Sequence, residues 1–198
     1  MPKGDLVFPM SQGIGAPANP LVKKGDRVLA GQIIGEAGGF ISANVICSVS
    51  GTVKAVEPRR VASGGMVNSV VVENDGQYET VEGMGADRDP ATLSKQEIRD
   101  IVKAAGIVGM GGAGFPTNVK LDTSKLEEKP DTLIVNGSEC EPYLTSDHRI
   151  MVENAEQIVD GIVLAMKASG VSCAKVVIED NKPYAIAAMR EAASDKQN

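Results

Sequence analysis

The chain has 198 residues, of which 42% are hydrophobic and only 3% aromatic. This length suits one large or two small domains, whose cores must be built from aliphatic side chains. The formal net charge of −6, with no clustered basic face, argues against a nucleic-acid partner. No apolar run reaches the roughly 18 residues that a membrane span needs, and the N-terminus lacks the apolar segment of a signal peptide. We therefore expect a soluble protein of the cytoplasm.

Residues 20–80 contain short apolar runs, rich in β-branched residues and separated by turn residues, which predict a small all-β domain. The segment "VKKGDRVLAGQIIGE", followed by "SVSGTVKAVE", resembles the barrel-sandwich hybrid of lipoyl and biotinyl domains. In that family Gly25-Asp26 and Ser50-Gly51 would form tight turns, and Val28, Ile33 and Val53 would face the core.

Carrier members of that family present a modifiable lysine on a hairpin between these two segments. The corresponding stretch here, Ala37 to Ile46, reads "AGGFISANVI" and contains no lysine. The resemblance therefore implies a structural or docking domain and not a carrier of a prosthetic group.

Residues 83–90 have the Gly, Pro and polar composition of a linker, and we expect one domain over 1–85 and another over 91–198. The second domain begins with a helix, for which Ser94 and Glu97 form a capping box and Gly106 is the stop signal. The three cysteines, Cys47, Cys140 and Cys173, include no CxxC pair, which predicts no zinc site and no disulfide framework. We interpret Cys47 and Cys173 as small core residues.

A strand at 132–136, a long helix from about 147 to 170, a strand at 174–179 and a helix from Pro183 to about 193 follow. This alternation predicts a parallel sheet with right-handed crossovers. Two parallel strands make an incomplete sheet, because parallel sheets are normally covered on both faces. We expect the chain to be a piece of a longer protein.

The sequence "GMGGAGFP", residues 109–116, is rich in glycine, and glycine lets backbone N–H groups approach an anion closely. The loop follows a helix and not a strand, so it is not the dinucleotide-binding fingerprint of Rossmann folds. A tight loop without a ligand is the alternative interpretation.

Lys120 and the segment "NGSECEPY", residues 136–143, extend this pattern. A lysine suits a phosphate, whereas the amide of Asn136 and the carboxylates of Glu139 and Glu141 suit ribityl or ribose hydroxyls or a flavin edge. A solvated loop is the alternative for both glutamates. The single histidine, His148, is interpreted as an exposed residue at a helix start.

These segments together resemble the flavin- and NADH-binding subunit family of respiratory complex I, and more closely the C-subunit family of the Rnf complex. The resemblance includes "GFPTNVKL", "LIVNGSECEPY" and "IEDNKPYAI" and covers nearly the whole chain, with the β-domain first. It implies an α+β protein of two domains: a barrel-sandwich hybrid followed by a partial α/β domain of the complex I flavin-subunit type.

The resemblance also implies roles for individual residues. The phosphate and ribityl chain of FMN would contact Gly109, Gly111, Gly112 and Gly114, with Lys120 as a cation. Phe115 would stack near the nicotinamide or adenine, Asn136 and Glu139 would hold the flavin, and Glu141 would face NADH. Ser138 stands where the complex I family has Asp, so that acidic contact is not carried over.

The implied function is an electron-transfer subunit of a membrane-bound, ion-translocating NADH:ferredoxin oxidoreductase, peripheral on the cytoplasmic face of the membrane. Its partners would be NADH, other Rnf subunits and, indirectly, ferredoxin. The family's second glycine segment and its motifs for two 4Fe–4S clusters are absent from this chain and expected outside it. Two alternatives remain open: a soluble electron donor to a corrin or substrate reductase, and a non-enzymatic interaction module.

Overall fold

The computed structural model describes residues 4–196, which group into two compact units. The first unit contains the residues up to 91 together with 99–120, and the second contains 92–98 and the residues from 121 onward. The strands are β1 (Asp5–Pro9), β2 (Asn19–Pro20), β3 (Arg27–Val28), β4 (Ile33–Glu36), β5 (Val45–Ile46), β6 (Gly51–Arg60), β7 (Met66–Asn74), β8 (Thr132–Asn136) and β9 (Cys173–Val177). The helices are α1 (Lys95–Ala104), α2 (Thr117–Lys120), α3 (Ser146–Glu153), α4 (Ala155–Ser169) and α5 (Pro183–Ala192), with 3₁₀ turns at Pro90–Thr92 and Ser194–Lys196.

The first unit contains two antiparallel sheets that share one core. One sheet has the strand order β1-β7-β6-β3 and the other has the order β2-β4-β5. Val28 and Val53 are buried in the shared core, as predicted, but Ile33 is only half-buried and its neighbour Ile34 is the fully buried residue. The prediction that residues up to 85 form an all-β arrangement is confirmed for the described residues.

The second unit contains the predicted parallel strand pair. β8 and β9 pair in parallel from Thr132 opposite Cys173 to Asn136 opposite Val177. The long helix predicted over residues 147–170 is two helices instead, because α3 ends at Glu153, α4 begins at Ala155, and Asn154 between them belongs to neither helix. Asn154 has φ −134° and ψ 34°, which lies outside the α-helical region and interrupts the helical hydrogen-bond ladder.

The predicted start and stop of α1 are both present. The Ser94 N–H donates to a Glu97 carboxylate oxygen at 2.8 Å, and the Glu97 N–H donates to Ser94 Oγ at 3.2 Å. This reciprocal pair is a capping box. Gly106, two residues after the end of α1, has φ +65°, a left-handed conformation that glycine adopts without steric cost.

The domain bounds 1–85 and 91–198 remain a prediction, and the compact units differ from them by grouping residues 99–120 with the strands of the first unit. Cys47 is buried as expected. Cys173 is exposed, so its interpretation as a core residue is wrong; it is the first residue of β9, where the two-stranded sheet leaves it uncovered. Among residues 4–196, no helix is long and apolar enough to cross a membrane.

Candidate functional site

The glycine-rich loop is closed at its base by backbone hydrogen bonds within the first unit. The Gly109 N–H donates to the Phe115 carbonyl at 2.9 Å, and the Thr117 N–H donates to the Ile107 carbonyl at 3.0 Å. Val108 and Pro116 form an isolated antiparallel bridge between these two contacts. The base is therefore fixed, while residues 110–112 at the tip are exposed, Met110 to 93%.

Only some of the loop glycines are required by the protein itself. Gly114 has φ +67°, and a Cβ built on it would lie 2.9 Å from the Gly13 Cα, so both its conformation and its surroundings demand glycine. Gly111 and Gly112 lack a left-handed φ, and a Cβ on either would meet no heavy atom within 4 Å. The protein thus gives no reason for glycine at these two positions, where the backbone borders open space.

Lys120 lies close to the start of the loop. It is the last residue of the short helix α2, and a Cβ built on Gly109 would lie 3.7 Å from its Nζ. This is an ordinary van der Waals distance, so a side chain at position 109 would occupy space next to the ammonium group. Phe115 is half-buried beside the fully buried Pro116. The structure therefore places the Lys120 ammonium group beside Gly109, while the role of Lys120 as a cationic contact to a ligand stays a prediction.

In the second unit, Asn136 lies at the carboxyl end of β8 and is exposed. Its Oδ1 accepts the Ser138 N–H at 3.0 Å, which turns the chain away from the sheet. Glu141 is exposed in the segment that follows. Tyr143 in the same segment has φ +65° and a 99% exposed side chain, a combination that sequence reasoning did not anticipate and no local pattern signals.

The Glu139 side chain is buried among protein groups, whereas Asn136 and Glu141 are exposed. Its carboxylate accepts the Asp147 N–H at 3.0 Å and Ser146 Oγ at 3.4 Å, and Lys182 Nζ lies 3.3 Å away. Burial opposes ionisation, but the hydrogen bonds from the Asp147 N–H and from Lys182 outweigh it and lower the pKa of this carboxyl. Glu139 thus holds the start of α3 against the residue preceding α5.

Lys182 was missed by sequence reasoning as a member of this network. Lys182 stands in the quoted segment "IEDNKPYAI", directly before Pro183, the first residue of α5. That position could have drawn attention to it, but its partner Glu139 lies 43 residues away in the sequence. His148 is half-buried and not exposed as predicted, since it lies in the first turn of α3 beside the Glu139 network. Its Nδ1 is buried without a hydrogen-bond partner among the described residues.

The predicted site residues divide between the units. Gly109, Gly111, Gly112, Gly114, Phe115 and Lys120 belong to the first unit, and Asn136, Glu139 and Glu141 to the second. In the first unit the loop glycines and a cation lie together. In the second, Asn136 and Glu141 present polar groups to solvent, while Glu139 is directed into the protein.

Two family models match the chain. Residues 1–77 match the RnfC barrel sandwich hybrid domain, and residues 102–198 match the Nuo51 FMN-binding domain. The two antiparallel sheets and the mixed helices and strands of the structure agree with this pair of folds.

Among curated proteins, the chain is 47% identical over 192 residues to the C subunit of a proton-translocating ferredoxin:NAD(+) oxidoreductase complex from Clostridium ljungdahlii. It is 48% identical over 196 residues to the C subunit of a Na(+)-translocating complex of the same kind from Acetobacterium woodii. It is also 47% identical to the C subunit of an ion-translocating oxidoreductase complex from Rhodobacter capsulatus. These matches cover 94–96% of this chain but only 42%, 42% and 37% of the respective relatives.

Proposed function

Since the chain belongs to the family of C subunits of Rnf-type ferredoxin:NAD(+) oxidoreductase complexes, we propose that it supplies FMN-binding residues to an electron-transfer subunit. The whole subunit would pass electrons between NADH and ferredoxin in an ion-translocating complex. This activity belongs to a polypeptide longer than these 198 residues, because the chain spans about two fifths of the length of its first two relatives.

The observation that carries the proposal is the open space beside Gly111 and Gly112. A phosphate that approaches a backbone closely needs the volume that a Cβ would fill, and no packing constraint of the protein accounts for glycine there. With Lys120 beside Gly109, the loop offers both close backbone approach and a positive charge. Gly109, Gly111, Gly112, Gly114 and Lys120 therefore fit the phosphate end of FMN.

The remaining residues are assigned from the family resemblance together with the exposure or burial of their side chains. Phe115 would contact the nicotinamide or adenine of NADH, Asn136 the flavin, and Glu141 the NADH side, since Asn136 and Glu141 are exposed. Glu139 would act by holding the Asn136–Glu141 segment in shape, because its oxygens are bonded to protein groups. FMN, when bound, would accept a hydride and release single electrons. The chain's own residues therefore need only bind FMN and NADH and orient them.

We also propose that parts of the subunit outside these 198 residues supply the electron acceptors of this scheme. Among residues 4–196, no group of three or more His, Cys, Asp or Glu side chains could hold a metal ion. We place the 4Fe–4S clusters in the remainder of the subunit and the other Rnf subunits as its partners. The subunit would be peripheral on the cytoplasmic face of the membrane, with ferredoxin reached indirectly.

The proposal is tested by Gly112→Val in the intact subunit. Because nothing lies within 4 Å of a Cβ at this position, the variant should fold normally while its side chain blocks the phosphate. We expect FMN binding at least about 10²-fold weaker, which corresponds to roughly 3 kcal/mol. The matched control is Gly65→Val in the β6–β7 turn, where a Cβ would meet only Ser63 Oγ, at an ordinary contact distance of 3.8 Å. Normal flavin content in purified Gly112→Val would show that the loop does not bind the phosphate.

A further inference from the structure

The end of the glycine-rich loop is fixed by a contact between two glycines. A Cβ built on Gly13 would lie 2.6 Å from the Gly114 carbonyl oxygen and 3.1 Å from that of Ala113. The next residue, Ile14, donates its N–H to the Ala113 carbonyl at 2.7 Å. Backbone therefore meets backbone at this point, and a side chain on either glycine would separate the two segments.

The segment that leads from α1 into the loop is fixed by Asn44. Its Nδ2 donates to the Ala104 carbonyl, at the end of α1, at 3.2 Å. A Cβ on Gly106 would lie 2.5 Å from the Asn44 carbonyl oxygen, so the chain leaving α1 passes directly over this residue. Connecting segments of the β-sheet domain thus contact both the chain that enters the loop and residues 113–114 near its end.

These two segments, residues 11–16 and 37–44, are themselves joined, and we call them the platform. The Ala16 N–H donates to the Ile41 carbonyl at 2.9 Å, and Ser42 Oγ donates to the Ala16 carbonyl at 2.8 Å. Asn44 Oδ1 accepts the Ala37 N–H at 3.0 Å while its Nδ2 holds Ala104. The platform is therefore one hydrogen-bonded surface.

We propose that the platform positions the backbone of the glycine-rich loop for the FMN phosphate, with Gly13 and Asn44 as positioning residues. This inference rests on the proposed function of the loop and assigns a task to the β-sheet domain. The platform includes most of the stretch that bears the modifiable lysine in carrier domains, and here that stretch has no lysine.

The physical need for a platform follows from the composition of the loop. Glycine loses more conformational freedom on ordering than any other residue, so a loop with glycine at 109, 111, 112 and 114 is costly to order when a ligand binds. Fixing both ends in the free protein lowers that cost and leaves only the tip to adjust, which strengthens binding through preorganisation.

The test uses Gly13→Ala and Asn44→Asp in the intact subunit. The aspartate keeps the oxygen that accepts the Ala37 N–H but removes the donor to Ala104. We expect each variant to bind FMN at least about tenfold more weakly, the effect of losing roughly one hydrogen bond, and to show faster hydrogen–deuterium exchange over residues 106–114 without FMN. At saturating FMN, the visible circular dichroism of the bound flavin should also change.

Two controls separate positioning from general stability. Gly65→Ala adds a methyl group in open surroundings, and Val71→Ala removes buried volume at a residue outside the core cluster shared by the two sheets. Val71→Ala should lower the melting temperature while leaving FMN affinity and the flavin spectrum unchanged. Equal FMN affinity of Gly13→Ala, Asn44→Asp and the wild type, or unchanged exchange of the loop, would overturn the inference. Failure of the wild type to bind FMN would instead refute the proposed function.

Discussion

Lys182 Nζ lies 3.3 Å from Glu139 Oε2, in an ion pair whose side chains are only 17% and 2% exposed. The same carboxylate accepts the N–H of Asp147 in the first turn of α3, where a negative charge is also favoured by the helix dipole. One carboxylate therefore joins the segment after β8, the start of α3 and the residue before α5.

This arrangement predicts a pH-dependent stability for the second unit. The pKa of Glu139 in the folded state is lowered from 4.5, so its contribution is complete above about pH 4.5 and is lost as the pH falls through the folded value. Glu139→Gln should lower the melting temperature at pH 7, and the difference from the wild type should shrink below pH 4.5. Thermal unfolding between pH 7 and 3 measures this, and Glu141→Gln is the exposed control. A constant difference across this range would contradict the expectation.

The capping box of α1 predicts how much stability the protein loses when the Ser94 hydroxyl is removed. Ser94→Ala removes the acceptor of the Glu97 N–H and should lower the free energy of unfolding by about 1 kcal/mol. Urea unfolding followed by far-ultraviolet circular dichroism measures the change. Ser48→Ala, at an exposed position, should have little effect. Equal stability of the two variants would mean that the box contributes nothing.

The β-sheet domain should carry no lipoyl or biotinyl group. No lysine lies between Lys24 and Lys54, and Lys54 lies within β6, where its Nζ pairs with Asp5 at 2.8 Å. Intact-mass spectrometry after expression with active lipoyl and biotin ligases should give the unmodified mass, beside a known carrier domain that is modified in the same cells. A mass increment of either group would refute this prediction.

The 198-residue chain should bind FMN weakly or not at all, whereas the intact subunit should bind it. Flavin sites enclose most of their ligand and fix it with several converging polar groups, and we expect part of this enclosure, including the second glycine segment that the resemblance implies, to lie outside these 198 residues. A loss of about 3–4 kcal/mol weakens binding by roughly 10²–10³-fold. Flavin fluorescence titration of both proteins measures the ratio of their FMN dissociation constants. Tight stoichiometric binding of FMN by the 198-residue chain would contradict the prediction.

Features encoded by neighbouring residues could be predicted from the sequence. The capping box of Ser94 and Glu97, the turn at Gly25 and the parallel pairing of β8 with β9 are set by short patterns or by the order of elements, and the structure contains all three. The capping box and the turn act over a few residues, and the order of elements is read along the chain, so neither requires knowledge of the tertiary fold.

Features that depend on distant partners could not be predicted. The ion pair of Glu139 joins it to Lys182, 43 residues away, and the contact between Gly13 and Gly114 joins two segments with no sequence pattern in common. The break at Asn154 was missed for a different reason, because the apolar stripe continues through it and periodicity alone does not register one non-helical residue.

The meeting of Gly13 with Gly114 also limits how this chain can be recombined with its relatives. Gly13 lies in the stretch that one family model matches and Gly114 in the stretch that the other matches. A chimera joined between residues 77 and 102 would thus inherit the two sides of one backbone contact from different parents. Exposed linkers are usually the safest places to splice proteins, because few contacts cross them. Here a splice must keep glycine at both positions, and the contacts of Asn44 with Ala104 and Gly106 cross the same junction.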